Sequence, residues 1–449
     1  MLGDKCQKKI YLNSLGCARN QVDSEQMVEW LQAAGWQIVN LPEKATVIVI
    51  NTCSFIEDAA DESIDAILAL SAFKSKGDCQ RLVVTGCLPE RFREEIIDAL
   101  PEVDIFLGTG AFDRIVDAAE GRLDGVGCLL PDPDRISFTA NHRIRFESAT
   151  AYIKIAEGCD RHCTYCIIPQ LRGRLKSRPI KDILEEAQRL LAEGVKELTL
   201  VSQNTTSYGK DLPNNKGLDT LLRKLSQLPE AQNAWIRFLY GHPESIDSNV
   251  FRVVARHHNL CPYFDIPIQH ASPKILQLMG RRNTLNELEL LFKKIRSEVP
   301  YAVLRTTVMV GFPGETESDF KKLYHFIEKI GFDHLGVFVY SDSEDLPSHK
   351  LPNPVDKKIA ARRKKDLMER QHKISAFNNQ KYLGRLLTVL VESYYKENIF
   401  LGRSIFQAPE VDGLVYLHAI KNKTTCRVGQ FCRVKIVDTL EYDLVGEVA

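Results

Sequence analysis

The chain lacks the features that would place it in a membrane, in a secreted scaffold or on a nucleic-acid backbone. No run of about 18 apolar residues occurs in its 449 residues, which excludes a hydrophobic spanning helix. The opening residues Met1-Leu2-Gly3-Asp4-Lys5-Cys6 lack the charged-then-apolar design of a secretory leader, so a cytoplasmic location and no membrane partner are expected. Twelve cysteines are too few for a disulfide scaffold of this length, and their clustering points to metal in a reducing compartment. Formal net charge is zero, with 59 Lys and Arg against 59 Asp and Glu. The basic surplus of a protein that lives on nucleic acid is therefore missing, which disfavours RNA as a substrate. No low-complexity tract occurs. What remains, 44% hydrophobic and 26% charged residues, describes a globular protein with ample core and length for about two to four domains.

The pattern is α/β. To about Arg143 strands and helices alternate: Ile10–Leu12, Thr46–Ile50 and Arg81–Thr85 read as strands. They lead to Cys17, Cys53 and Cys87, and helices are expected over Asn20–Ala34, about Asp58–Leu70 and near Arg91–Leu100. That alternation argues for a parallel sheet. The middle repeats the unit about six times, with strands expected at Tyr152–Ala156, Leu198–Ser202, Trp235–Tyr240, Phe264–Gln269, Leu304–Val310 and Leu335–Tyr340. Between the first two lies a helix over Ile180–Glu193, with Pro179 at its entrance and Gly194 at its exit. Six strand–helix units suggest a partial TIM-like (β/α)6 barrel, whose chemistry sits at the carboxyl ends of its strands. Leu351-Pro352-Asn353-Pro354 ends the repeat, a charged helix is expected over Val355–Asn378, and the tail from Leu383 reads as a small antiparallel β-barrel. The expected domains are residues 1–143, 144–378 and 379–449.

Cys159, Cys163 and Cys166 stand in Glu157-Gly158-Cys159-Asp160-Arg161-His162-Cys163-Thr164-Tyr165-Cys166. Three thiolates at spacings of three and two intervening residues can surround one centre from a short loop. A structural zinc would want a fourth ligand, and His162 inside the loop would be strained in that role. An iron–sulfur cubane with three protein thiolates leaves one iron open to a small molecule. Cys17, Cys53 and Cys87 each follow a strand and precede a helix, so they converge at one edge of a parallel sheet, where ligands bind. They read either as a second three-thiolate cluster or as three small buried cysteines. Cys6, Cys79, Cys128, Cys261, Cys426 and Cys432 match no cluster motif and are taken as structural.

The spacing of Cys159, Cys163 and Cys166 resembles that of the radical S-adenosylmethionine enzymes. With Ser14-Leu15-Gly16-Cys17-Ala18-Arg19-Asn20, Asn51-Thr52-Cys53-Ser54-Phe55 and Thr85-Gly86-Cys87-Leu88, the chain resembles the methylthiotransferases of that superfamily over nearly its whole length, including a C-terminal module similar to the TRAM domain. The resemblance implies two 4Fe–4S clusters, the auxiliary one on Cys17, Cys53 and Cys87 and the radical-generating one on the catalytic Cys159, Cys163 and Cys166. It also implies S-adenosylmethionine, chelated at the open iron.

Within the family the chain is most similar to the members that modify an aspartate of a small-subunit ribosomal protein. Supporting stretches are Phe264–Ser272, Leu278–Arg282, Arg305–Glu315 and Gln407-Ala408-Pro409-Glu410-Val411-Asp412-Gly413. That implies hydrogen abstraction from the β-carbon of the aspartate and capture of a methylthio group, with an electron donor such as flavodoxin or ferredoxin. Both clusters would then face one cavity between the first two domains. Asn204 and Gly241-His242 depart from the usual pattern at positions that would face the pocket.

Gly311 and Gly314 flank a turn where backbone could approach the adenosyl group. Gln203, His270 and Arg305 lie in or at the ends of barrel strands, where they could touch cofactor or substrate or could serve structure as buried hydrogen-bonded groups. From Leu383 onward eight Lys and Arg balance eight Asp and Glu, which suits a basic protein partner better than RNA, with Glu410 and Asp412 beside the first turn as its contacts. The alternatives are a tRNA adenosine methylthiotransferase and a non-catalytic iron–sulfur or zinc protein that binds RNA.

Overall fold

A computed structural model describes residues 8–135, 143–146, 149–213, 216–419 and 426–449. Two compact units form. The first comprises Met1–Phe146, Ala156–His162 and Cys166–Arg178, and the second comprises Glu147–Ile155, Cys163–Tyr165 and Pro179–Ala449.

The first unit is built on a six-stranded parallel sheet in the order β2-β1-β3-β4-β5-β6. Its strands are β1 (Lys9–Ser14), β2 (Gln37–Ile38), β3 (Val47–Thr52), β4 (Arg81–Gly86), β5 (Ile105–Leu107) and β6 (Cys128–Leu129). All six residues of β3 are buried, as a parallel strand covered on both faces requires. Val47 and Val49 pack with Met27 and Leu31 on one face, and Ile48 and Ile50 pack with Ile67 and Leu70 on the other. The helix expected over Arg91–Leu100 is two shorter ones, Cys87–Phe92 and Glu95–Ala99, because Arg93 turns into the left-handed region at φ 52° and ends the first. The short strands β2, β5 and β6 were too brief to read from periodicity.

The second unit begins with β7 (Thr150–Lys154). A short antiparallel ladder of β8 (Ala156–Glu157) and β9 (Lys176–Ser177), which belongs to the first unit, interrupts it. It continues as β10 (Glu197–Val201), β11 (Trp235–Phe238), β12 (Tyr263–Asp265), β13 (Val303–Val310) and β14 (His334–Val339), all parallel to their neighbours. These are the six expected barrel strands. They form two three-stranded sheets joined by an isolated parallel bridge between Ile236 and Leu260. Lys357–Asn379 is the charged helix; Asp356 caps it by accepting from the Lys358 N–H at 2.8 Å, and its buried stripe includes Ala360, Arg363 and Leu367.

The tail closes into a barrel, β15-β16-β17-β19-β18, from β15 (Leu386–Lys396), β16 (Ile399–Ser404), β17 (Val415–His418), β18 (Phe431–Thr439) and β19 (Leu444–Val448). It belongs to the second unit, and buried charge explains why. Arg403 of β16 donates to Glu197 of β10 at 2.7 Å, and Arg237 of β11 donates to the other oxygen of Glu197 at 2.8 Å. All three side chains are at most 1% exposed. Asp412 makes a second link, accepting from Tyr263 Oη at 2.6 Å and lying 3.6 Å from Arg305 and 3.4 Å from His334. Asp412 is thus an internal anchor with a side chain only 1% exposed, which corrects its expected place facing a partner; Glu410 is exposed. Among the described residues no helix is long and apolar enough to cross a membrane.

Removing one member of a buried ion cluster leaves its partners charged and unpaired. Glu197→Ala is expected to cost about 3–5 kcal/mol of stability, read as a lower denaturant midpoint, because two buried guanidinium groups then lose their shared acceptor.

Candidate active site

Strands β1, β3 and β4 are sheet neighbours in register, with Ser14 opposite Asn51, Asn51 opposite Thr85 and Thr52 opposite Gly86. Their carboxyl ends therefore lie side by side, and Cys17, Cys53 and Cys87 follow within three residues. Turns made by glycine bring the sulfurs round. Gly16 has φ 91°, and a Cβ there would stand 2.7 Å from Cys53 Cβ and 3.2 Å from its sulfur. Gly86 has φ 101°, and a Cβ would meet Thr52 O at 2.6 Å.

Amides fix the frame. Asn51 Nδ2 donates to Asn20 O and Ser24 Oγ, both at 2.9 Å, and Asn20 Nδ2 donates to Thr52 O at 2.8 Å. Cys17 caps the 16-residue helix Ala18–Ala33, and Arg19 Nε donates to its sulfur at 3.3 Å. Burial opposes its thiolate, but Arg19, the Asn20 N–H and Arg172 outweigh burial and lower its pKa. Burial pushes Cys53 up to about 11 and raises Cys87 as well. Arg172 donates to Cys87 Sγ at 3.5 Å, to Asn20 Oδ1 at 2.6 Å and to Asp23 Oδ2 at 2.9 Å.

No group of three or more His, Cys, Asp or Glu among the described residues is gathered closely enough for a single metal ion. A larger guest fits the first triad on chemistry. The donor set is wholly thiol, two cationic donors aim at the sulfurs, and the missing side chain at Gly16 leaves room in the cup beside the Cys53 sulfur.

Cys159, Cys163 and Cys166 lie in the loop between β8 and the helix Ile168–Arg172. In the first unit, Cys159 N donates to Gly173 O at 3.0 Å and Arg161 N to Cys159 Sγ at 3.4 Å. Gly158 has φ 78°, and a Cβ there would fall 2.0 Å from Arg174 O. In the second unit Cys163 is buried, and Thr164 is held by its N–H on Met279 O at 3.2 Å and its hydroxyl on Leu278 O at 2.8 Å. Tyr165 accepts from Arg281 Nε at 3.0 Å and meets Phe312 edge-on at 6.4 Å. The Leu278–Arg282 stretch is thus a brace for the cysteine loop.

The remaining sequence-nominated residues separate. Gln203 is half-buried just past β10. His270 is fully buried past β12; its Nδ1 accepts from Ser272 N at 2.9 Å and its Nε2 faces Glu315 Oε1 at 3.4 Å. Glu315 also accepts from the Gly311 N–H and pairs with Arg363 at 3.2 Å. Both ring nitrogens of His270 are thus turned to protein. Gly311 has φ 78°, and a Cβ there would come 2.5 Å from Ala360 Cβ, so helix packing requires this glycine. Gly314, at φ 81°, would place a Cβ 3.2 Å from Leu278 Cδ1. Arg305 lies near the amino end of β13 and donates to Asp265 at 2.9 Å, so its charge serves the anchor of the terminal barrel, at the far end of the strand from Gly311.

Asn204 and His242 join one buried network, in which Asn204 Oδ1 accepts from Thr206 Oγ1 at 3.0 Å and Ser245 Oγ at 3.1 Å, and His242 N donates to Thr206 Oγ1 at 2.9 Å. Tyr240 and Gln269, at φ 63° and 68° past β11 and β12, hold the left-handed region without being glycine. Such strain costs on the order of 1–3 kcal/mol each and collects at functional ends of a fold. No local sequence signal marks them. Arg172 was missed for a different reason, since its partners lie far away in the chain. Cys79 and Cys261 are buried, Cys128 is half-buried, Cys426 and Cys432 sulfurs lie 2.9 Å apart, and Cys6 falls outside the described residues.

Three family models match the chain. The one described as uncharacterized protein family UPF0004 covers residues 9–108, the radical SAM superfamily 153–327 and the TRAM domain 383–449. The ribosomal protein uS12 methylthiotransferase RimO of Desulfosudis oleivorans is 49% identical over 442 residues, spanning 98% of this chain and 99% of that one. RimO of Clostridioides difficile is 44% identical over 444 residues, spanning 98% of each. Among solved structures, the radical S-adenosylmethionine methyltransferase TsrM of Kitasatospora setae has a TM-score of 0.55 at 13% identity, covering 74% of this chain and 75% of that one. OxsB, a cobalamin-dependent radical enzyme, has a TM-score of 0.52 at 12% identity, covering 81% and 56%. These two likenesses are of fold alone.

Gly311→Ala is expected to lower stability by about 1–3 kcal/mol through overpacking on Ala360, while Ala360→Gly in the same chain recovers part of the loss. Thermal unfolding reads the stability, and S-adenosylmethionine affinity should stay unchanged in both proteins.

Proposed function

The chain belongs to the ribosomal protein uS12 methylthiotransferase family, and from that membership we propose that it adds a methylthio group to the β-carbon of an aspartate in small-subunit ribosomal protein uS12. The supporting observation in the fold is that three adjacent parallel strands each deliver a cysteine to one sheet end, while a single loop carries three more. Cys17, Cys53 and Cys87 would hold the auxiliary 4Fe–4S cluster, and Cys159, Cys163 and Cys166 the radical one. Three ligands each leave one iron open. When bound, these clusters and S-adenosylmethionine supply the electron, the carbon-centred oxidant and the methylated sulfur that the reaction consumes.

The chain supplies placement. Thr164, Tyr165 and Arg281 fix the middle of the radical loop, and Asn20, Asn51 and the turns at Gly16 and Gly86 fix the auxiliary cup. Gln203 and Gly314, with the strained backbone at Tyr240 and Gln269, line the carboxyl ends of the barrel strands, where this architecture binds its ligands. His270, Gly311 and Arg305 act behind that surface as supports. The modules 1–143, 144–378 and 379–449 belong to this reading, as do a cytoplasmic setting and a one-electron donor of the flavodoxin or ferredoxin class. The balanced charge of the tail supports a protein substrate over tRNA.

Anaerobically reconstituted protein is expected to hold about eight irons, as two cubanes require. Replacing Cys159, Cys163 and Cys166 together with Ala should halve the iron and abolish S-adenosylmethionine cleavage. Replacing Cys17, Cys53 and Cys87 should halve the iron and leave some cleavage; full iron in that variant would mean that the auxiliary cluster is not there. Substrate choice is decided by mass spectrometry of uS12 and of tRNA from a strain lacking the gene. Loss of the methylthio group from tRNA, with uS12 unaltered, would replace this substrate with a tRNA adenosine.

A further inference from the structure

Arg172 is 3% exposed and ends the helix Ile168–Arg172, six residues after Cys166. Buried guanidinium groups need partners, and Asp23 at 2.9 Å and Glu157 at 3.6 Å would suffice for that. Yet Nη2 turns elsewhere, to Asn20 Oδ1 at 2.6 Å and Cys87 Sγ at 3.5 Å. Its neighbour Gly173 accepts from Cys159 N at 3.0 Å. The dipeptide Arg172-Gly173 therefore touches a cysteine of each triad, one through a cationic side chain and the other through a carbonyl. Gly173 has φ 71°, a conformation that favours glycine, and a Cβ there would lie 2.3 Å from Asp134 Oδ1.

We propose that Arg172 is the positioning residue that sets the reduction potential of the auxiliary cluster, through its hydrogen bond to the Cys87 sulfur and its buried charge beside it. The proposal rests on the reading that Cys17, Cys53 and Cys87 hold that cluster. Hydrogen bonds and charge at ligating sulfurs tune cluster potentials. A cation beside the sulfur stabilises the more negative, reduced state and makes the cluster easier to reduce. Arg19 serves Cys17 in a similar way from a half-exposed position, where solvent weakens its field. Arg172 is buried and cannot lose its proton, so its field is steady. Asp23 and Glu157 pair with its Nη1 and oppose it, which gives levers of opposite sign.

The test uses full-length protein with Cys159, Cys163 and Cys166 replaced by Ala, so that only the auxiliary cluster remains. Iron is counted after anaerobic reconstitution, and the midpoint potential is read by a titration followed by electron paramagnetic resonance. Arg172→Gln should disfavour reduction about tenfold, a shift of about 59 mV to more negative potential for one electron. Arg172→Lys, which keeps the charge, should recover most of it. Asp23→Asn should move the potential in the opposite direction, and it decides the matter if Arg172→Gln does not fold. Variants that hold about four irons at an unmoved potential would overturn the role of Arg172 while leaving the cluster in place. A parent triple variant that takes up no iron would overturn the auxiliary-cluster reading itself.

Discussion

Parallel strands all end on the same side of their sheet, and everything proposed for the first unit depends on that. β1, β3 and β4 are hydrogen-bonded neighbours, so the loops that follow them cannot avoid one another. Because β3 is buried on both faces, its register is fixed by packing from two sides, and the cysteine one to three residues beyond each strand inherits that precision. The glycines at positions 16 and 86 then settle how close the turns may come. A catalytic group that needs three ligands from distant parts of a chain is served well by such a layout, since the sheet does the gathering before any metal arrives.

The second unit relies on charge buried away from water. Glu197 lies between Arg237 and Arg403, and burial, which would raise its pKa, is outweighed by the two guanidinium groups, which lower it. Ion clusters of this kind contribute little net stability compared with well-packed apolar residues, but they are intolerant of misplacement. Arg403 reaches across from the terminal β-barrel to Glu197, while Arg237 holds Glu197 from the neighbouring strand of the larger barrel. Asp412 with Tyr263, Arg305 and His334 repeats the arrangement a short way off. The terminal module is therefore held in one position relative to the strands it rests on.

All six strands of the larger barrel, the helix after residue 356 and the β-rich tail were legible, because burial imposes a period that local sequence repeats. The cysteine motifs were legible as spacings in the sequence, and the clusters assigned to them remain a proposal. The sequence could not reveal what distant side chains do to one another. Gly311 looked like a place for a ligand, but it is required by Ala360, which comes 49 residues later. Asp412 looked like a surface contact and is an internal anchor. His270 could be read either as a cofactor contact or as a buried hydrogen-bonded group, and its ring is engaged by Ser272 and Glu315. Arg172 drew no attention because nothing near it in the chain hints at Asp23 or Cys87. In each case an ordinary residue takes its meaning from a partner that sequence spacing does not encode.

The terminal barrel closes on itself, β18 returning to pair with β15. Where the barrel is closed, as at Val389 and Leu390 of β15, which pair with both β16 and β18, the backbone groups are taken up within the sheet and a peptide cannot be recruited there by extending it. Backbone pairing would accept almost any extended segment, whatever its side chains. A partner that meets this module must be recognised through side-chain shape and charge, which makes selectivity a matter of its sequence. The same closure protects the module during synthesis, when an open edge would invite pairing with neighbouring nascent chains.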